Sequence, residues 1–303
     1  VDPNALAWAD VFHSSYARIP KQVRRQLPGQ HVLTVHDLTP LVLGEEYFSS
    51  EQIGITRRII DSVQPDDWVV AVSESTKNDL CERRPIDPER VFVVPNAASD
   101  DLFYPVTDDK RIWTVRQKYG IPEGRYLLSL HSMAPHKNIH RLIEAFRLFI
   151  RQGKPSDTYL VLAGGLGRPR KEIFEELSLE TAGLDRVHFT GFVEDDDLAP
   201  LYSGAEAFVF PSLYEGFGLP VLEAMQCGCP VVASNTSSLP EIVEDAGILV
   251  KPTDIEELAH ALSRVIGSPS TISELPKKGR ERAKDYSWEN SASRILDIYR
   301  QVS

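Results

Sequence analysis

The sequence predicts an α/β protein made of two doubly wound, parallel-sheet domains. Three observations carry this. From Tyr126 onward six short apolar runs alternate with helical stretches, which is the pattern of a parallel sheet with crossover helices. Four further apolar runs precede Pro105. A chain of 303 residues, 42% of them hydrophobic, holds enough apolar material for two ordinary cores.

In the amino-terminal part, residues 1–106, the strands are "ADVFHSS", "HVLTVHD", "WVVAVSE" and "RVFVVPN", joined by long, irregular connections. The chain opens on Val1-Asp2 in what reads as the end of a helix, so this first domain is expected to be truncated at its amino terminus. The proline and charge cluster "FYPVTDDKR", residues 103–111, reads as a linker. In residues 107–286 the strands are "YLLSLHS", "YLVLAGG", "RVHFTGF", "AFVFPS", "PVVASN" and "GILVKP". Ile139, Leu142, Ile143, Phe146 and Phe149 form one apolar face at helical spacing, with Asn138 placed to cap that helix. "DIEELAHALSRVIGS" repeats the pattern with Asp254 as cap. The closing segment, 287–303, is a separate helix expected to return to the first domain.

The net charge of -11 argues against general binding to nucleic acid or to an anionic membrane surface, since both require a positive field. No apolar run reaches the ~18 residues of a membrane span and no signal peptide is visible, so a cytoplasmic chain is expected. The Cys227-Gly228-Cys229 spacing is too tight for zinc ligands, and reduced structural thiols are expected.

In open parallel sheets ligands gather beyond the carboxyl ends of the strands. There, "EGFGLPVLE" sets Glu215 and Glu223 eight positions apart around two glycines. Gly216 and Gly218 allow a tight turn, and Pro220 suits the start of a helix whose free N–H groups attract a pyrophosphate. Glu223, inside that helix, is placed to accept hydrogen bonds from a ribose diol, while Glu215 remains in the loop facing the group beyond the phosphates. The alternative is a helix-start acid and a solvated loop acid. Lys137, in "HSMAPHKN", is a phosphate partner or an exposed surface lysine. His136 assists it or faces solvent, and His131 reads as a core residue. His36 and Asp37 end a strand in the first domain, where they can reach a cleft. "GGLG" is a weak half of a dinucleotide fingerprint, and neither a nucleophile elbow nor a P-loop occurs.

Together these motifs resemble the retaining glycosyltransferases of the GT-B fold, in the large family 4. "EGFGLPVLE" resembles that family's E-x7-E signature and "APHKN" its phosphate loop. "TVHDLTP" resembles its first-domain histidine loop, and "GFVEDDDLAPLYSGAEAFVFPS" its nucleotide-base region. The resemblance implies two Rossmann-like domains facing one another across a cleft. It further implies transfer of a hexose from a UDP- or GDP-sugar to a glycan or lipid-linked acceptor, in polysaccharide or cell-envelope synthesis. Carried over by position, His36, Lys137 and Glu215 are the catalytic set. Ser132, His136, Gly165, Phe192, Val193, Phe217, Gly218, Leu219 and Glu223 hold the donor, with the base against Phe192 and Val193. Ser132 and His136 stand where the family often has arginine, which concentrates the demand for positive charge on Lys137. The family needs neither a bound metal nor a cofactor, and a lipid-linked acceptor would make the chain a peripheral partner of the inner membrane face. A silent nucleotide-sugar-binding subunit and a GT-B-fold epimerase share these motifs.

Overall fold

The computed structural model describes residues 8–27, 29–130, 132, 134–153, 155, 157–164, 181, 184–267 and 269–303. The chain divides into two compact units. The first comprises residues 1–97, 214–217 and 286–303, and the second residues 98–213 and 218–285.

The first unit holds a four-stranded sheet in the order β1-β2-β3-β4, from Phe12–Ser14, His31–Val35, Trp68–Ala71 and Val91–Val93. Every pairing is parallel. Both faces of a parallel sheet need cover, which is why its strands read as apolar runs. On one face Leu33, Val35, Val69 and Ala71 pack with Val23 of α1 (Lys21–Gln26) and Ile60 of α3 (Ser50–Ile60), beside the short α2 (Thr39–Leu43). On the other, Val32, Val70 and Val94 meet Ile298 and Val302 of the last helix, Trp288–Val302. Ser287 caps that helix by accepting from the Asn290 N–H at 3.1 Å, and Ser291 donates to the Pro95 carbonyl at 2.6 Å. An ion pair ties α1 to the start of β3. Arg24 makes two contacts to the fully buried Asp67, at 2.5 and 2.8 Å, and Gln64 N–H donates to the same carboxylate.

The second unit contains a six-stranded, all-parallel sheet in the order β10-β9-β8-β5-β6-β7. Its strands are Arg125–Leu130, Thr158–Ala163, Val187–Gly191, Ala207–Phe210, Val231–Ser234 and Ile248–Val250 for β5 to β10. The chain runs outward from β5 to one edge, then returns to β8 and runs to the other. The topological switch point therefore lies between β5 and β8, and a crevice beyond their carboxyl ends follows from the connectivity. On β5, the buried Ser129 donates to the Val209 carbonyl of β8 at 2.6 Å and the buried Tyr126 hydroxyl to the Leu201 carbonyl at 2.7 Å, so neither polar group is left unsatisfied in the centre of the sheet.

One face of this sheet is covered by α6 (Ile139–Arg151) and α10 (Ile255–Gly267). Ile139, Leu142, Ile143, Phe146 and Phe149 are all buried there, each phenylalanine contributing on the order of 1.5–3 kcal/mol of transfer free energy. Asp254 accepts from the Glu257 N–H at 2.9 Å and caps α10 as its sequence position predicts. Asn138 does not cap α6: its side chain is used elsewhere, as described below. Cys227 and Cys229 are buried free thiols, Cys227 pushed up to about 12 by burial, so neither is poised as a nucleophile.

The stretch 103–111, expected as a linker, belongs to the second unit. Phe103 and Val106 are buried, Phe103 lies edge-on to Tyr202 with centroids 6.2 Å apart, and Val106 N–H donates to Ser203. Prolines and charges do mark an irregular strap here, but two apolar anchors pin it, and the division falls after Ala97.

Candidate active site

The switch-point crevice exists as a cleft of about 370 Å³ in the second unit. Ser132 and Lys137 follow β5, Phe192 and Val193 follow β7, and Phe210 and Pro220 flank the turn after β8; all six line the cleft. Three residues expected to hold the donor, Ser132, Phe192 and Val193, and one expected catalytic residue, Lys137, are thus brought together by the sheet topology. Gly164 lines the same cleft, whereas Gly165 lies outside the described residues, as does His131. Phe192 is 64% exposed, while Val193 is buried.

Lys137 ends a 3-10 turn, Pro135–Lys137, with its ammonium 5.4 Å from the centroid of Phe210. Asn138 fixes that turn. It adopts the left-handed conformation, φ 63°, which asparagine tolerates better than most residues. Its amide donates to the carbonyls of Pro211 at 2.9 Å and Pro252 at 2.7 Å, and its oxygen accepts from Arg141 at 2.8 Å. One buried side chain thereby ties the loop after β5 to the loops after β8 and β10. The His136 carbonyl adds a fourth tie by accepting from the Leu213 N–H at 2.8 Å. The imidazole of His136 does not line the cleft.

The turn "EGFG" leads into α8 (Leu219–Gln226), with Gly218 at its N-cap, φ 118°. A side chain on Gly218 would meet Leu239 at 2.6 Å, so glycine is required by both conformation and space. Leu219 and Pro220 form the first turn. Glu223 stands one turn beyond Pro220, on the same helical face, and does not itself line the cleft. Its carboxylate accepts a hydrogen bond from Tyr202 at 3.0 Å. Burial pushes its pKa up to about 7, against the pull of the Tyr202 hydroxyl. Tyr202 belongs to α7 (Asp195–Ser203), whose Asp195 and Leu198 also face the cleft.

Glu215 and Phe217 cluster with the first unit, in the segment 214–217. Gly216 is pinned there: Ser73 donates to its carbonyl at 2.6 Å and Thr76 at 3.1 Å. A Cβ at Gly216 would collide with the His36 carbonyl oxygen. Phe217 packs edge-on to Tyr286 at 5.8 Å. His36 is exposed at the end of β2 and donates to the Ser15 carbonyl from Nε2 at 2.7 Å. It borders two first-unit cavities, one of about 250 Å³ with Tyr16, Asp37 and Gln52, the other an apolar hollow of about 560 Å³ with Val94, Trp288 and Ile295. Asp37 accepts from the Thr39 N–H at 2.9 Å and serves as a turn residue. Sequence reasoning missed the roles of Asn138, Tyr202 and Phe210. The signals available were an asparagine directly before a helix that needs no cap from it, and a tyrosine in an otherwise aliphatic helix face.

Residues 111–286 match the family described as glycosyl transferases group 1. The chain belongs to that family. Residues 5–102 match the glycosyltransferase family 4 description, and the two parallel-sheet units are those of the GT-B fold. O-antigen chain mannosyltransferase B of Escherichia coli is 29% identical over 98% of this chain and 77% of its own length. The serotype-specific mannosyltransferase WbdA of Escherichia coli is 32% identical over 91% of the chain, which spans only 34% of that longer protein. Among solved structures, sucrose-phosphate synthase from Thermosynechococcus elongatus superposes with a TM-score of 0.78 at 29% identity, over 97% of this chain and 73% of its own. Anabaena HepE in complex with UDP and glucose gives 0.73 at 24% identity, over 88% and 70% of the two chains, and shares the fold. Among the described residues no helix of this glycosyltransferase is long and apolar enough to cross a membrane, and no group of three or more His, Cys, Asp or Glu could hold a metal ion.

Proposed function

We propose that this glycosyltransferase moves a hexose from a nucleotide-diphosphate sugar, UDP- or GDP-linked, to a glycan or lipid-linked acceptor in polysaccharide or cell-envelope synthesis, with retention of the anomeric configuration and without a bound metal. The observation that carries this reading is the cleft at the switch point, lined by Lys137, Phe192 and Pro220 of the first turn of α8. A base stacks on Phe192 and Val193. The diphosphate lies between the Lys137 ammonium and the N–H groups at Gly218 and Leu219, and Glu223 accepts from the ribose. Glu215, the Phe217 backbone and His36 attend the sugar. The mannosyltransferase and UDP-bound relatives support a hexose donor of this kind.

In the reaction the bond from the anomeric carbon to the β-phosphate oxygen breaks, the acceptor oxygen bonds to that carbon on the same face, and the acceptor proton passes to the leaving phosphate. The chain's contribution is positioning and charge: Lys137 stabilises the negative charge that grows on the leaving oxygen. No side chain has to become a covalent nucleophile.

A thermal-shift panel of nucleoside diphosphates and nucleotide sugars tests the donor, since a ligand at a hundred times its dissociation constant adds about 2.7 kcal/mol. The preferred donor is then incubated with glycan and lipid-linked acceptors, and the product's anomeric configuration is read by NMR. Failure of every nucleotide to stabilise the chain overturns the donor assignment. An inverted product overturns retention, and binding with no turnover on any acceptor points to a silent subunit.

A further inference from the structure

We propose that Tyr202 is a positioning residue whose hydroxyl keeps Glu223 a hydrogen-bond acceptor, ready for the ribose diol of the donor. This rests on the donor reading above. Tyr202 is fully buried, its ring set edge-on to Phe208 at 5.2 Å and to Phe103 at 6.2 Å, so the phenol has one fixed direction. That direction ends on Glu223 Oε2, 3.0 Å away.

A ribose diol brings two O–H donors and needs acceptors. An ionised carboxylate offers two oxygens with about four acceptor sites between them; a protonated one turns a site into a competing donor. Dry surroundings favour the protonated form, and Glu223 is pushed up by burial and by the neighbouring charge of Asp195. The titratable groups facing the pair are Asp195 on α7, with Cys227 and Cys229 following α8, and none of these is a cation. The Tyr202 hydroxyl acts in the opposite sense and favours the charged carboxylate. A phenol suits this task because burial raises its own pKa, keeping it a donor at every physiological pH. A lysine or arginine there would instead hold both carboxylate oxygens in an ion pair.

The test measures the affinity of UDP and GDP for the full chain by calorimetry between pH 5.5 and 9.5, in wild type, Tyr202→Phe and Glu223→Gln. Affinities are taken as ratios to Glu223→Gln, which lacks the carboxylate, so that the nucleotide's own titration cancels. Wild-type affinity should rise through about pH 7, where Glu223 ionises. Tyr202→Phe should move that midpoint up by about one to two pH units, a loss of roughly ten- to a hundredfold at pH 6 that recovers toward pH 9.5. A 2′,3′-dideoxy nucleoside diphosphate should bind wild type and Tyr202→Phe alike. Tyr202→3,5-difluorotyrosine keeps the ring, donates more strongly and should move the midpoint down, which secures the result even where the phenylalanine variant folds poorly. An equal loss at every pH, or the same loss with the dideoxy nucleotide, would make Tyr202 a packing residue and overturn the proposal. Undiminished affinity in Glu223→Gln would instead overturn the ribose assignment beneath it, so the two failures are distinguishable.

Discussion

Replacing Asn138 separates two contributions of one side chain. In Asn138→Gly the left-handed backbone is kept and the amide is lost. The carbonyls of Pro211 and Pro252, which it reaches at 2.9 and 2.7 Å, are then left without this donor beside a residue only 3% exposed. Each buried carbonyl without a partner costs about 1–3 kcal/mol, so the variant should lose roughly 2–6 kcal/mol. Asn138→Ala loses the same bonds and must hold φ 63° with a Cβ, at a further cost of about 1–2 kcal/mol, while glycine gives back roughly 0.5–1 through its looser unfolded chain. Alanine should therefore be the less stable of the two, by up to about 1.5 kcal/mol. Urea unfolding followed by far-ultraviolet circular dichroism measures both, and donor affinity at low temperature measures the displacement of the Lys137 turn. Either variant within about 0.5 kcal/mol of wild type, the usual range for a surface change, would refute the three-loop tie. Glycine falling below alanine would refute the account of the left-handed conformation.

Lys137→Ala should slow single turnover by about 10²–10³-fold while weakening donor binding less; intact turnover with weakened binding would make the lysine a ground-state anchor. Glu223 sits at about 7 in the folded chain against 4.5 unfolded, so the ligand-free protein binds the extra proton between those values and loses stability as pH rises through that window. Thermal unfolding should accordingly show Glu223→Gln more stable than wild type at pH 8 and equal to it near pH 4. Asp67→Ala removes the fully buried carboxylate that Arg24 and the Gln64 N–H share and should cost about 3 kcal/mol in urea unfolding, with donor affinity unchanged at temperatures where the chain is folded. A chelator should leave the transfer rate within about twofold, read by product formation before and after dialysis.

All ten strand segments named from the sequence are strands in the fold, because buried parallel strands are nearly continuous apolar runs and the signal is local. The α6 and α10 faces were legible for the same reason, through their 3.6-residue spacing. Ser132, Lys137, Phe192 and Val193 share one cleft because a parallel, doubly wound sheet, expected from the alternation of elements, puts its carboxyl-end loops on one side. What was not legible depends on partners distant in sequence. Asn138 precedes a helix and looks like a cap, but Pro211 and Pro252 claim its amide. Nothing in the sequence singles out Tyr202, whose hydroxyl lies 3.0 Å from Glu223, a partner 21 residues away. The strap 103–111 carries linker composition, and only the burial of Phe103 and Val106 reveals where it is anchored.

The last helix has a consequence for how the chain is made. Ser291 bonds to Pro95 across 196 residues of sequence, and Ile298 and Val302 complete the face that Val32, Val70 and Val94 leave open. During synthesis the first unit's strands therefore emerge long before the helix that covers them, while the second unit draws nearly all of its contacts from one continuous stretch. The later-made unit is able to finish folding first, with the earlier one waiting, its apolar sheet face open to chaperones, until the final turn of helix leaves the ribosome.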